Sequence, residues 1–67
     1  MLENRSEYRG YKIRARREGR GWRVAVSPKD AQLPILKHQS FRMDVPSVEE
    51  AIYSARVRID LLLDVLR

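Results

Sequence analysis

Two short stretches of strict alternation, one on each side of a glycine-containing turn, constrain this chain more than anything else in it. Tyr8 to Arg16 sets Tyr11, Ile13 and Ala15 on one side and Gly10, Lys12, Arg14 and Arg16 on the other; Trp22 to Ser27 sets Trp22, Val24 and Val26 opposite Arg23, Ala25 and Ser27. A two-residue repeat is the period of a half-buried β-strand. Between the stretches, Arg17-Glu18-Gly19-Arg20-Gly21 offers glycines that take the positive φ of a tight hairpin loop. The pattern predicts a β-hairpin with one apolar face and one cationic face.

Downstream, Pro28, Pro34 and the polar run Lys29-Asp30-Ala31-Gln32 interrupt the alternation and predict a loop from Pro28 to Lys37. Leu33, Ile35 and Leu36 within it either fold over a sheet edge or face a partner. A third strand is expected from about His38 to Met43, with Phe41 and Met43 inward and His38, Ser40 and Arg42 outward. Val45-Pro46 ends it, and Ser47-Val48-Glu49-Glu50 has the form of a capping box, in which the Ser47 hydroxyl accepts from the Glu50 amide and the Glu50 side chain reaches back. At 100° per residue, Val48, Ala51, Ile52, Ala55, Ile59, Leu62, Leu63 and Leu66 fall within about 60° of one direction, the face of an amphipathic helix. Residues 1–7 lack periodicity and read as a flexible N-terminus. The expected fold is a single α+β domain over 1–67: a three-stranded antiparallel β-meander (8–43) with one long C-terminal α-helix (47–66) packed on one face, in β-β-β-α order.

Composition narrows the function classes. With no cysteine in 67 residues, neither a disulfide nor a thiolate metal site is available, and a domain of this size buries only about 60% of the surface its unfolded chain exposes. Good packing or oligomerisation is the reinforcement left to it. No apolar run approaches the roughly 20 residues of a membrane span, and the N-terminus lacks a secretory signal, so a cytoplasmic protein without membrane association is expected. Residues 1–27 carry eight basic and three acidic side chains, and residues 28–67 carry six of each, so the formal charge of +5 lies in the first half.

Tyr8-x-Gly10-Tyr11-x-Ile13, Trp22-x-Val24-x-Val26, Phe41, Ser47-x-x-Glu50-Ala51-Ile52, Ala55 and Ile59-Asp60 together give the chain, over residues 8–60, the look of small uncharacterised bacterial β-β-β-α proteins. More loosely, it is similar to the N-terminal domain of HicB-type antitoxins, a partial double-stranded-RNA-binding-like fold. The resemblance implies a protein-binding, antitoxin-like partner protein and supplies no catalytic residue.

No catalytic, cofactor-binding or metal site is expected. His38 is the single histidine and has no flanking ligand of suitable spacing. Asp60 and Asp64 lie one turn apart, but Arg56 and Arg67 are placed to pair with them on a solvated helix face. Met43 and the tyrosines read as core filling or hairpin rim. Two candidate surfaces remain. One is a basic face comprising Lys12, Arg14, Arg16, Arg23 and Arg42, extended by Arg17 and Arg20 at the hairpin tip, which suits an acidic protein or nucleic acid or serves solubility alone. Inward assignment of Tyr11 and Trp22 leaves only Tyr8 as an outward aromatic, which disfavours base stacking. The other is the helix stripe Val57, Leu61 and Val65, which lies away from the core face and is covered by a second copy or by the Leu33–Leu36 loop. The expectation is a non-enzymatic binding module without cofactor or small-molecule substrate, homodimeric, with nonspecific nucleic-acid binding as the alternative.

Overall fold

A computed structural model of the protein describes residues 3–36 and 39–65. Four strands and one helix follow in order: β1 (Glu3–Tyr8), β2 (Tyr11–Glu18), β3 (Gly21–Pro28), β4 (Ser40–Met43) and α1 (Val48–Val65). The strands form one antiparallel sheet in the order β1-β2-β3-β4, with α1 across one face. The α+β class and the single C-terminal helix match the sequence pattern. The number of strands does not: Glu3–Glu7, expected to be flexible, belongs to a fourth strand along the β2 edge.

The extra strand arises at Arg9-Gly10. Both residues have positive φ, 51° and 87°, the backbone of a two-residue hairpin turn, so Tyr8 pairs with Tyr11 rather than continuing one strand with it. A turn of this length also resets parity. Tyr8, outward if residues 8–16 were one strand, lies half-buried on the helix side with Tyr11, while Glu3, Arg5 and Glu7 join Arg16, Arg14 and Lys12 on the open side. The second hairpin turns at Gly19-Arg20, where Gly19 has φ 61°, and Glu18 pairs with Gly21. Gly21 cannot carry a side chain, because a Cβ there would run into the backbone carbonyl of Met43 on β4.

The core is the expected one. Tyr11, Ile13, Ala15, Trp22, Val24 and Val26 from the sheet are buried against Ala51, Ala55 and Ile59 of α1, with Val48, Ile52, Leu62 and Leu63 partly buried beside them. Two alanines at the centre of the helix contact let its backbone approach the sheet closely. The N-terminus has the first half of the expected capping box, the Glu50 amide donating to Ser47 Oγ at 3.3 Å; the Glu50 carboxylate accepts from the Ser47 hydroxyl at 3.3 Å rather than from the Ser47 amide.

Of the two readings of the proline-rich loop, the structure takes the first. Leu36 is buried, Leu33 packs on the core, and the Tyr11 hydroxyl donates to the Pro34 carbonyl at 2.6 Å, while Ile35 alone of the three remains exposed. The third expected strand is β4, shorter than predicted at its start. His38 and Lys37 lie outside the described residues, as do Leu66 and Arg67.

Candidate functional site

The strand registers place the side chains of the uncovered face in rows. Glu3, Arg16, Arg23 and Arg42 stand opposite one another across the four strands; Arg5, Arg14, Ala25 and Ser40 form the next row; Glu7, Lys12 and Ser27 form the third. Glu18 closes the face near the hairpin tip. Six cations thus share it with three carboxylates, and no aromatic residue among those described stands on it. Of the seven residues expected to make a basic face, Lys12, Arg14, Arg16, Arg23 and Arg42 are brought together as predicted. Arg20 is in the adjacent turn.

Arg17 is not with them. β2 runs two residues further than the sequence suggested, to Glu18, and at position 17 the alternation points to the helix side, where the guanidinium lies 5.6 Å from the centroid of the Trp22 ring. Trp22 is itself buried, and its Nε1–H has no acceptor among the described residues.

Like charges directly opposite on neighbouring strands repel, and the face carries carboxylates where that repulsion concentrates. Glu18 accepts from Arg23 at 3.1 Å and lies 3.4 Å from Arg42; Asp44 takes the other side of Arg42 at 2.6 Å. Glu3 accepts from Arg14 at 2.9 Å and lies 3.4 Å from Arg5, so one carboxylate of β1 separates the opposed Arg5 and Arg14. Glu7 pairs with Lys29 at 3.0 Å. These contacts hold two carboxyls below the ordinary range: Glu18 chiefly through its hydrogen bond from Arg23, and Glu3 chiefly through that from Arg14. Among the described residues, Lys12, Arg16 and Arg20 make no ion pair. The sequence reading missed Glu3, Arg5 and Glu7 as part of this surface. Their own alternation, set two residues before a glycine turn, was the available signal.

The opposite side of the molecule is the outer surface of α1. Val57, Leu61 and Val65 are 38%, 60% and 78% exposed, so the 28–37 loop does not cover them over its described part. Tyr53, one turn before Val57 and 68% exposed, extends the stripe, contrary to its expected place in the core or at a hairpin rim. Two arginines bracket it: Arg56 lies over the Tyr8 ring at the β1 side, 5.5 Å from its centroid, and Arg58 over Phe41 of β4 at 3.9 Å. The helix therefore straddles the sheet, and the residue between the two arginines, Val57, points away from it.

Asp60 has a different role from the one expected. It does not pair with Arg56; it accepts from the Tyr8 hydroxyl at 2.9 Å and from Arg9 at 2.7 Å, and Arg9 also lies 4.0 Å from Asp64. The Arg9 hydrogen bond, then that of Tyr8, holds the Asp60 carboxyl below the ordinary range, and the same contact pushes the Tyr8 hydroxyl up. A carboxylate committed to a tyrosine and an arginine clamps the first hairpin turn to the helix. Among the described residues, no group of three or more acidic or histidine side chains converges as a metal site, and no helix is long and apolar enough to cross a membrane. No protein-family model, curated protein or solved structure matches this chain.

Proposed function

We propose that this protein is a non-enzymatic binding module that self-associates and docks its open sheet face on an acidic protein surface. One observation carries the reading: a whole face of the sheet is left uncovered by the single helix, and it bears six cations against three carboxylates. An uncovered sheet face needs polar residues for solubility, but an evenly balanced or acidic set would serve equally well. A surplus of arginine favours planar, bidentate contact with carboxylates. The HicB-like resemblance supports the same reading, since an antitoxin-like protein works by holding a partner. The stripe Val57, Leu61 and Val65 is the surface on which a second copy packs, and Tyr53 belongs with it.

A second reading, nonspecific nucleic-acid binding, is favoured by Lys12, Arg16 and Arg20, cations of the open face and its adjacent turn that make no ion pair among the described residues. Without an exposed aromatic on the face, such binding engages phosphates rather than bases. Titration with an oligonucleotide and with a polyglutamate chain, each at rising salt, separates the two. The acidic-protein reading expects the polypeptide to bind and Arg14→Glu/Arg16→Glu to abolish it. Preference for the oligonucleotide, with a salt slope of about four to six phosphates, favours the second reading. Binding of neither at low salt overturns both. For the stripe, Leu61→Lys is expected to lower the solution mass at high concentration.

A further inference from the structure

We infer that β1 is a self-pairing edge: two copies join β1 to β1, antiparallel, with Ser6 on the two-fold axis, to make one continuous eight-stranded sheet. The proposal rests on the self-association in the reading above, and it adds to the helix stripe a second contact surface between copies.

In a two-residue hairpin the flanking residues exchange hydrogen bonds, so Tyr8 and Tyr11 are a hydrogen-bonded pair, and alternation gives the same status to Ser6–Ile13 and Asn4–Ala15. The amides and carbonyls of Glu3, Arg5 and Glu7 then point the other way, out of the sheet. Among the described residues no strand lies there. The opposite edge differs, since β4 has four residues and is soon followed by Pro46.

Side chains then select the partner and the register. With Ser6 opposite Ser6, Arg5 faces Glu7 twice and Asn4 faces Tyr8 twice, while Glu3 reaches only the Arg9-Gly10 turn of the other copy. Both Arg5–Glu7 pairs coincide with outward backbone groups, so the four backbone hydrogen bonds fall where the charges are opposite. Sliding by one residue on each strand is unfavourable in either direction: centring on Arg5 opposes Arg5 to itself and Glu3 to Glu7, and centring on Glu7 opposes Glu7 to itself. Charged residues on an edge ordinarily prevent pairing, but Arg5-Ser6-Glu7 is complementary to a second copy of itself in this register. Arg5 and Glu7 are both largely exposed and held only by surface ion pairs, so they are free to exchange partners.

The register has a third consequence. Paired residues share a face, so both helices lie on one side of the joined sheet and both basic faces on the other. On the helix side, a trough bordered by Asn4, Ser6, Val48, Ile52 and Tyr53 runs along the β1 edge of each copy. Pairing brings the two troughs together across the axis, over partly buried Val48 and Ile52 that α1 and β1 leave half-covered.

The chain has no cysteine, which gives the register a direct test. Ser6 opposite Ser6 is a non-hydrogen-bonded pair, with Cα atoms about 4.5 Å apart, inside the range of roughly 4.4–6.8 Å that a disulfide spans. Under mild oxidation Ser6→Cys is expected to cross-link into covalent dimers at least tenfold more than Ser27→Cys, an exposed control on β3. In parallel, Arg5→Glu and Glu7→Arg should each lower the dimer fraction measured by sedimentation, and the double variant should restore it. The single variants retain their folded circular dichroism if only the edge is affected. A dimeric mass with no preferential Ser6→Cys cross-link and no charge-swap rescue overturns the β1 pairing while leaving self-association standing. A monomeric mass at all concentrations overturns both.

Discussion

Asp60 shows how one side chain can tie sequence-distant elements together. It takes hydrogen bonds from Tyr8 and Arg9, 52 and 51 residues away, and so fixes the first turn against the helix. Because its folded carboxyl titrates below the ordinary value, as do Glu3 and Glu18, the stability these groups contribute is fully present above the unfolded carboxylate range and is lost as pH falls through their folded values. Tyr8 works at the other end: its hydroxyl is raised, so its contribution is present below the ordinary tyrosine range and fades as pH rises through the folded value. A thermal melt taken against pH should therefore fall off below about pH 4, and Asp60→Asn should lower the midpoint at pH 7 and flatten that acid limb. An unchanged acid limb in Asp60→Asn would remove the carboxylate from this role. The sequence did not show this clamp, because Arg56 stands at the usual helical spacing from Asp60 and looks like its partner; the Tyr8 ring draws the Arg56 guanidinium instead.

At the scale of elements, legibility followed burial. β2, β3 and α1 were readable because each buries one face, and burial imposes a period on the sequence. β1 was not, since the residues it turns toward the helix are Asn4, Ser6 and Tyr8, at an edge where α1 provides little cover and polar side chains carry no penalty. Its turn is Arg-Gly, not the Asn-Gly or Asp-Gly that usually marks a two-residue hairpin. β2 extends past the apolar alternation for a related reason: Arg17 is polar yet occupies a helix-side position, covering Trp22 at the margin of the core. The short β4 is held by contacts visible only in three dimensions, among them the close passage of the Met43 carbonyl over Gly21. Gly21→Ala should cost about 1–3 kcal/mol by forcing those strands apart, measured by denaturant unfolding, whereas Arg20→Ala in the exposed turn should stay within about 0.5 kcal/mol. Equal losses at the two positions would refute the steric account.

For the whole molecule, size is the governing fact. A chain of 67 residues without a disulfide has a small core, and ten buried apolar residues supply most of it among those described. If the folded form is a dimer, its melting midpoint depends on concentration: each tenfold increase adds about 1.4 kcal/mol, which raises the midpoint by a few degrees in a domain this small. A midpoint constant across a hundredfold range would mean that the monomer carries its own stability. The candidate surfaces were readable to different degrees on this scale. The cations of β2 and β3 could be grouped from alternation alone, but the acids that partner them are Glu3 of β1 and Glu18 at the end of β2, so the true charge balance of the face needed the strand order.

The two broad sides of the molecule differ in charge balance. Cations predominate on the open sheet, while on the helix side Glu49, Glu50, Asp60 and Asp64 are offset by Arg9, Arg17, Arg56 and Arg58. The protein is in effect a permanent dipole about as long as the domain is thick. In the field of any extended anionic body it turns sheet-first before contact, which narrows the orientational search and speeds capture at low ionic strength. Two copies joined edge to edge would present both sheets to such a body at once, their dipoles aligned rather than cancelled.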